Sequence, residues 1–353
     1  MVRRWLGLLI PLMASIGPGA SGALEAQQPE ANQRGYSIKI SVNTVLLNVS
    51  VQDRSTNRSI AGLKKEDFLV YEDGVLQQVD RFLPSDEPLN VLLLLDVSGS
   101  TGLFLQLMKA ASIDFIRSIK VSDRVAIATF SSRVDLIQRF SSERARAEQA
   151  IRQIWAGGGT SFYDALMTSV TQYMPGVEGR SAIVLFTDGI DNQLEGGYPA
   201  GSQTTFDELY RGIQEAEPII YPIFLDTIGV GAGAGGGPAR KRAPSLEREN
   251  SHPASGNAQG EFASYELAMR QLQMIADQTG GRMYSPRKIE ELAGIYADIA
   301  GDLRIQYRLG YIPANSARDD RWREIRVKIK NRPEAVVRTR KGYYAHKIPM
   351  AHD

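Results

Sequence analysis

Hydrophobic positions divide the chain into a central region of alternating strands and helices and two strand-rich flanks. In the central region, Val91–Leu95, Ala182–Phe186 and Ile219–Leu225 are continuous apolar runs, which are typical of strands covered on both faces of a parallel sheet. Stretches with helical spacing, such as Leu103–Ile119, separate these runs. The pattern predicts a doubly wound α/β fold over residues 89–300, with a mostly parallel sheet.

The flanks carry shorter strand patterns. In residues 36–84, an alternating stretch (Ser37–Val42) and an apolar run (Val45–Val51) precede the hairpin turn signal Glu72-Asp73-Gly74, so we predict a small antiparallel β module. Residues 303–345 return to strand patterns and predict a hairpin-like C-terminal β segment.

Residues 227–260 interrupt the rhythm of strands and helices. They are rich in Gly, Pro and Ser and have no periodicity, which predicts a flexible surface insertion. Gly231–Gly236 matches the Gly-x-Gly-x-x-Gly pattern, but Pro238 and a polar stretch follow where a dinucleotide site requires a helix. We therefore expect no nucleotide cofactor.

Residues 1–26 have the organisation of a secretory signal peptide. Arg3 and Arg4 precede an apolar stretch that ends in small residues. The stretch is shorter than the roughly 20 residues that a spanning helix needs, although a retained membrane anchor is the alternative. We expect export to the periplasm, the cell surface or the medium.

The composition narrows the chemistry that is available. Lys and Arg number 41 and Asp and Glu 40, so the chain lacks the basic field of a dedicated nucleic-acid binder. The absence of Cys excludes thiolate chemistry and Cys-ligated metals. The three His lie outside the predicted core, and no Gly-x-Ser-x-Gly frame surrounds a candidate nucleophile. We expect no catalytic residues and no enzymatic activity.

Three polar segments follow strands of the predicted sheet or precede its helices. They are Asp96-Val97-Ser98-Gly99-Ser100, Gly157-Gly158-Gly159-Thr160 and Thr187-Asp188-Gly189. Ligands of open α/β sheets bind beyond the carboxyl ends of the strands, where these segments converge. Their carboxylates and hydroxyls are hard oxygen ligands that suit Mg²⁺ or Mn²⁺. The alternative is structural, with the serines capping a helix and Asp188 beginning a turn.

The same segments resemble the metal-ion-dependent adhesion site (MIDAS) of von Willebrand factor A domains. All five positions of that motif are present: Asp96, Ser98, Ser100, Thr160 and Asp188. The resemblance covers roughly residues 89–299. The flanking stretches LKKEDFLVYEDGVLQQV, YRLGYIP, WREIRVKIK and RTRKGYYA are similar to those of exported bacterial, acidobacterial-type proteins called VWFA-related.

This resemblance implies metal ligation by the hydroxyls and, directly or through water, by the two Asp. It also implies a protein partner whose Asp or Glu carboxylate fills the open coordination position. In the alternative, the protein is an envelope assembly factor in which the ion only stabilises the loops. We place Asp96 on a solvent-facing rim and Asp191 and Asn192 beside the ligands, whereas Asp164 suits the dipole of its helix.

A basic run closes the sequence. Residues 318–347 contain 11 Lys and Arg against 4 Asp and Glu, and Arg326, Lys328 and Lys330 alternate along one strand. Such side chains form the solvated face of an edge strand. Contact with an anionic envelope polymer is the alternative, and nucleic acid is not expected as a partner.

Overall fold

The computed structural model describes residues 44–347, except residues 57, 84–87, 178, 189, 193–200, 226–256 and 287. The predicted signal peptide, the predicted strand Ser37–Val42 and most of the predicted insertion lie outside the described residues. The last four residues of that predicted insertion, 257–260, are helical. No helix among the described residues is both long enough and apolar enough to span a membrane.

The described residues form thirteen strands and six α-helices. The strands are β1 Val45–Asp53, β2 Phe68–Glu72, β3 Val75–Gln77, β4 Val79–Leu83, β5 Leu89–Asp96, β6 Arg124–Phe130, β7 Val134–Ser141, β8 Arg180–Thr187, β9 Ile219–Phe224, β10 Tyr307–Tyr311, β11 Trp322–Ile329, β12 Ala335–Arg338 and β13 Gly342–Tyr344. The helices are α1 Leu105–Ser118, α2 Arg144–Arg152, α3 Phe162–Thr168, α4 Phe206–Glu215, α5 Asn257–Thr279 and α6 Leu292–Arg304.

A five-stranded sheet with the order β7-β6-β5-β8-β9 forms the centre of the fold. Side chains of β5 alternate between its two faces. Val91, Leu93 and Leu95 pack with residues of α1, α2 and α6, whereas Leu92 and Leu94 pack with residues of α3, α4 and α5. Every residue of β5 is buried, because helices cover both faces.

The central sheet is mixed, which differs from the mostly parallel sheet that the sequence predicts. Strand β5 pairs in parallel with β6 and β8, and β8 pairs in parallel with β9, but β6 and β7 are antiparallel. Only three residues connect β6 to β7, and the Ser131 amide donates to the Arg133 carbonyl at 3.0 Å. A parallel pair needs a crossover of a dozen or more residues, so this short turn imposes the antiparallel direction.

The two flanks pair with one another, whereas the sequence predicts a module and a separate hairpin-like segment. One antiparallel sheet has the order β12-β1-β10-β4 and the other β13-β11-β2-β3, so each contains strands from both flanks. Apolar side chains from the two sheets, such as Val49, Val70, Leu309 and Val327, share one core. The hairpin between β2 and β3 forms at the predicted turn, where Asp73 and Gly74 have φ values of 48° and 81°.

Candidate metal centre

Asp96 is the last residue of β5, and its side chain is fully buried. Its Oδ1 accepts a hydrogen bond from the Ser98 amide at 2.9 Å, and its Oδ2 accepts one from the Thr187 hydroxyl at 2.7 Å. The bond from Thr187 joins the ends of the adjacent strands β5 and β8, and the bond from Ser98 lies within the turn that follows β5. The expectation that Asp96 lies on a solvent-facing rim is wrong, because the ends of the two central strands cover it.

Ser98 and Ser100 lie in the turn between β5 and α1. Their hydroxyl oxygens are 3.0 Å apart; Ser98 is buried and Ser100 is exposed. A short 3₁₀ turn, Gly102–Phe104, precedes α1, and the residue before each of these two elements makes no capping side-chain hydrogen bond. The N-cap positions belong to Thr101 and Phe104, so neither serine occupies one.

The glycine loop packs against this turn through its backbone. The Gly157 amide donates to the Val97 carbonyl at 2.7 Å, and the Gly99 amide donates to the Gly158 carbonyl at 3.1 Å. Gly158 has a φ of 92°, and a Cβ there would lie 3.2 Å from the Ser132 hydroxyl. A residue with a side chain would thus be strained and crowded at this position, which keeps the loop close to Ser98 and Ser100.

Thr160 and Asp188 are both buried and lie on segments that contact each other. The Asn192 amide, four residues beyond Asp188, donates to the Thr160 carbonyl at 3.0 Å. Gly189 lies outside the described residues. The structure thus places the three polar segments of the motif side by side, with direct contacts between Asp96, Ser98 and Ser100 and backbone contacts around Thr160.

Electrostatics at the centre favour a bound cation. Burial, and then the negative charge of Asp188, raise the pKa of Asp96 from 3.8 to about 7, against the lowering effect of its hydrogen bonds. A divalent cation would neutralise both carboxylates and would find hydroxyl oxygens beside them, so the donor set fits a hard ion. Among the described residues, no group of three His, Cys, Asp or Glu side chains is placed to hold a metal.

Asp191 stabilises the loop after β8 through three hydrogen bonds. Its Oδ2 accepts from the Tyr163 amide at 3.1 Å and from the Ser202 hydroxyl at 2.5 Å, and its Oδ1 accepts from the Ser202 amide at 2.9 Å. The carboxylate therefore connects the β8 loop to the start of α3, just after Thr160. A role of Asp191 in orienting the metal ligands stays a prediction.

Asp164 has a structural contact in addition to its position in the first turn of α3. Its two carboxylate oxygens accept from the Gln203 and Thr204 amides, each at 2.9 Å. The side chain thus fixes the segment that leads into α4. The sequence indicates its place in the helix but not these partners.

The sequence gives no role to Thr187 and Ser202. Thr187 lies within a recognised segment, but its bond to Asp96 joins residues 91 positions apart. Ser202 lies beyond a stretch with no periodic pattern, and only the fold brings it to Asp191. The one signal in the sequence is a hydroxyl residue directly beside a motif carboxylate, and Thr187, which precedes Asp188, is such a residue.

Comparison with known proteins is consistent with this arrangement. The family model described as von Willebrand factor type A domain matches residues 91–190, which include all five motif positions. No curated protein sequence matches the chain.

Solved structures give distant similarities. A von Willebrand factor type A protein from Catenulispora acidiphila is 16% identical, with a TM-score of 0.42 over 73% of this chain and 50% of its own. The chain thus spans half the length of that protein. The vWF domain of the type V pili tip protein Mfa5 from Porphyromonas gingivalis is 14% identical, with a TM-score of 0.44 over 62% of this chain and 95% of its own.

Proximal thread matrix protein 1 from the mussel byssus, in a structure described as having a zinc-occupied MIDAS motif, is also similar. It is 14% identical, with a TM-score of 0.43 over 66% of this chain and 49% of its own. Residues 91–190 of this chain match the von Willebrand factor type A domain, and all five motif residues lie within that match.

Proposed function

We propose that the protein is an exported binding module that holds a divalent cation, Mg²⁺ or Mn²⁺, and takes up a carboxylate of a partner protein at that ion. The observation that carries the proposal is the pair of buried carboxylates, Asp96 and Asp188, at the ends of adjacent central strands beside Ser98, Ser100 and Thr160. Buried carboxylates of like charge are costly unless a cation compensates them.

The number of donors supports a ligand from outside the chain. When bound, Mg²⁺ takes six oxygen ligands in octahedral geometry. The five motif side chains leave at least one of these positions open if each supplies one oxygen, and a partner carboxylate would fill it. Ser100 is exposed, so the approach to the centre is from solvent on its side.

A binding role also agrees with the composition. The chain has no Cys, and its three His are remote in sequence from the five motif residues, so neither thiolate nor imidazole chemistry is supplied there. We propose no enzymatic activity. Export follows from the predicted signal peptide and is part of the same proposal, as is the envelope location of the partner.

The alternative is an assembly factor in which the ion only stabilises the loops. Backbone hydrogen bonds already connect those loops to one another, from Gly157 to Val97, from Gly99 to Gly158 and from Asn192 to Thr160. The loops therefore have a supporting framework that does not depend on an ion. This framework favours the binding role over the purely stabilising one.

A contact between the basic C-terminal strands and an anionic envelope polymer stays a prediction. Arg326 and Lys328 are exposed on β11, and the Lys328 Nζ lies 5.8 Å from the centre of the Tyr71 ring. Arg326 also pairs with Glu324 at 3.0 Å, which reduces the positive charge of that face.

Calorimetric titration of the purified protein with Mg²⁺ and Mn²⁺ tests the metal centre. We expect one ion per chain, and no binding by the Asp96→Asn variant. Asp114→Asn, which removes an exposed carboxylate from α1, is the matched control and should bind like the wild type.

Acetate then serves as a surrogate for the partner carboxylate. We expect acetate binding that requires the metal and disappears with chelator. Metal binding without any acetate binding would support the assembly-factor alternative, and a lack of metal binding would contradict both.

A further inference from the structure

A surface groove lies between the first turns of α1 and the end of α2. Its volume is about 480 Å³, room for two or three side chains. Leu105, Ile113 and Ile154 provide apolar lining, Trp155 forms a wall, and Lys109 and Arg152 are the charged lining residues.

Two short loops connect the groove to the metal centre. Leu105 follows Ser100 by five residues, and Trp155 precedes Thr160 by five. Between these points, the two loops are held together by the Gly157–Val97 and Gly99–Gly158 backbone hydrogen bonds.

Trp155 follows the end of α2 and is 84% exposed, whereas the residue before it, Ile154, is buried. Its indole ring has the largest apolar surface of any side chain, and tryptophan is enriched among the residues that dominate binding energy at protein interfaces. The metal centre and the groove thus combine a polar anchor and an apolar anchor on adjacent loops.

The charges around the groove are positive. Lys109 Nζ donates to the Arg152 carbonyl at 3.0 Å, which fixes its ammonium group at the groove. Arg152 pairs with Glu148 at 3.2 Å, but Glu148 also pairs with Arg117 at 2.6 Å and lies outside the lining. An acidic segment therefore complements this surface.

We infer that the partner of the metal centre is an acidic protein segment that places a large apolar side chain in the groove beside Trp155. This inference rests on the proposed function and specifies the chemistry of the partner. Five residues of this chain separate Ser100 from Leu105, so these two positions are at most about 17 Å apart. A partner segment of about five extended residues spans the same distance and therefore reaches from the metal to the groove. Its second acidic residue would lie near Lys109 and Arg152.

A displayed library of random twelve-residue peptides, selected on the full protein in Mg²⁺, tests the inference. We expect the selected peptides to contain an Asp or Glu and, within about five residues, a large apolar residue with a second acidic residue. The most enriched sequence is then synthesised, and its affinity is measured by calorimetry with and without chelator.

Trp155→Ala should weaken binding of that peptide at least tenfold, as expected for a central interface tryptophan, and leave Mg²⁺ affinity unchanged. Arg152→Gln should weaken it severalfold, and the loss should shrink at high salt. Val121→Ala removes a similarly exposed apolar side chain beyond the other end of α1 and should have no effect.

The two proposals fail in different ways. Chelator-sensitive peptides that bind Trp155→Ala as tightly as the wild type would overturn the groove and leave the metal-dependent function intact. A library that yields no chelator-sensitive peptide would overturn the proposed function together with the inference. Melting temperatures of the variants, expected to match the wild type, verify that the fold is retained.

Discussion

The hydroxyl of Thr187 donates a hydrogen bond to Oδ2 of Asp96 at 2.7 Å, across the boundary between β8 and β5. Both side chains are fully buried, and the other oxygen of Asp96 is held by the Ser98 amide. The orientation of the carboxylate is thus set from two sides. Thr187 ends β8 and Asp188 follows it, so two successive residues orient Asp96 and add a second negative charge near it.

Thr187→Val should lower the affinity for Mg²⁺ by about tenfold or more, because the carboxylate loses the donor that orients it. Valine has nearly the same shape, so we expect only a small change in the melting temperature. Thr187→Ser retains the hydroxyl and should bind metal almost like the wild type. Equal affinities for the valine and serine variants in calorimetry would contradict this positioning role.

The raised pKa of Asp96 predicts how the stability of the metal-free protein depends on pH. The carboxyl has a pKa of 3.8 in the unfolded chain and about 7 in the folded one, so folding favours its neutral form. Its contribution to stability is therefore fully present below about pH 4 and is lost as the pH rises to 7. The shift corresponds to at most about 4 kcal/mol.

Asp96→Asn, which resembles the neutral acid, should accordingly stabilise the metal-free protein at pH 8 and have little effect at pH 4. Urea unfolding at both pH values measures this difference. Saturating Mg²⁺ should stabilise the wild type at pH 8 and leave the variant unchanged. A destabilised variant at pH 8 without metal would show that the charged carboxylate is not costly in the folded state.

Asp191 supports the loop after β8 through three hydrogen bonds. Asp191→Ala should destabilise the protein by about 3 kcal/mol, because it leaves buried amides without an acceptor. We also expect weaker metal binding, since Thr160 and Asp188 lie on the segments that this carboxylate joins. Ser202→Ala should cost less stability, because the Tyr163 and Ser202 amides keep their acceptor. Unfolding curves and metal titrations of both variants provide the comparison.

Local patterns in the sequence predict the strands well. The predicted apolar runs Val91–Leu95 and Ala182–Phe186 lie within the observed strands β5 and β8. In β11, alternate residues from Arg323 to Ile329 are buried, and in β5 the apolar run is buried throughout. Burial on one face or on both faces dictates these patterns, so they are visible without knowledge of the strand's partners.

The pairing of the flanks is not visible in this way. Strand β1 pairs with β10 and β12, which follow it by more than 250 residues, and the register depends on residues of both partners. No turn between them fixes that register. The same applies to the centre. Its motif residues lie at the end of a strand or before a helix, where local patterns indicate them, but the donors Thr187 and Ser202 reach their acceptors only through the fold.

Glu72 provides a prediction that is independent of the metal centre. It lies in β2, is 2% exposed, and accepts hydrogen bonds from the hydroxyls of Tyr311 at 2.7 Å and Tyr343 at 2.9 Å. Tyr311 belongs to β10 of the opposite sheet, so the carboxylate connects the two flanking sheets. Glu72→Ala should destabilise the protein by about 3 kcal/mol, because it leaves two phenol hydroxyls without their acceptor.

Glu72→Gln keeps an acceptor oxygen in the same place and should cost about 1 kcal/mol. Because Glu72 lies in the flanking sheets, both variants should bind Mg²⁺ with wild-type affinity while folded. Urea unfolding gives the stabilities, and calorimetry gives the affinities. The hydrogen bonds of Glu72 reach Tyr311 and Tyr343, which are not motif residues. A change in metal affinity that accompanies the loss of stability would therefore mean that the flanking sheets control the geometry of the metal centre.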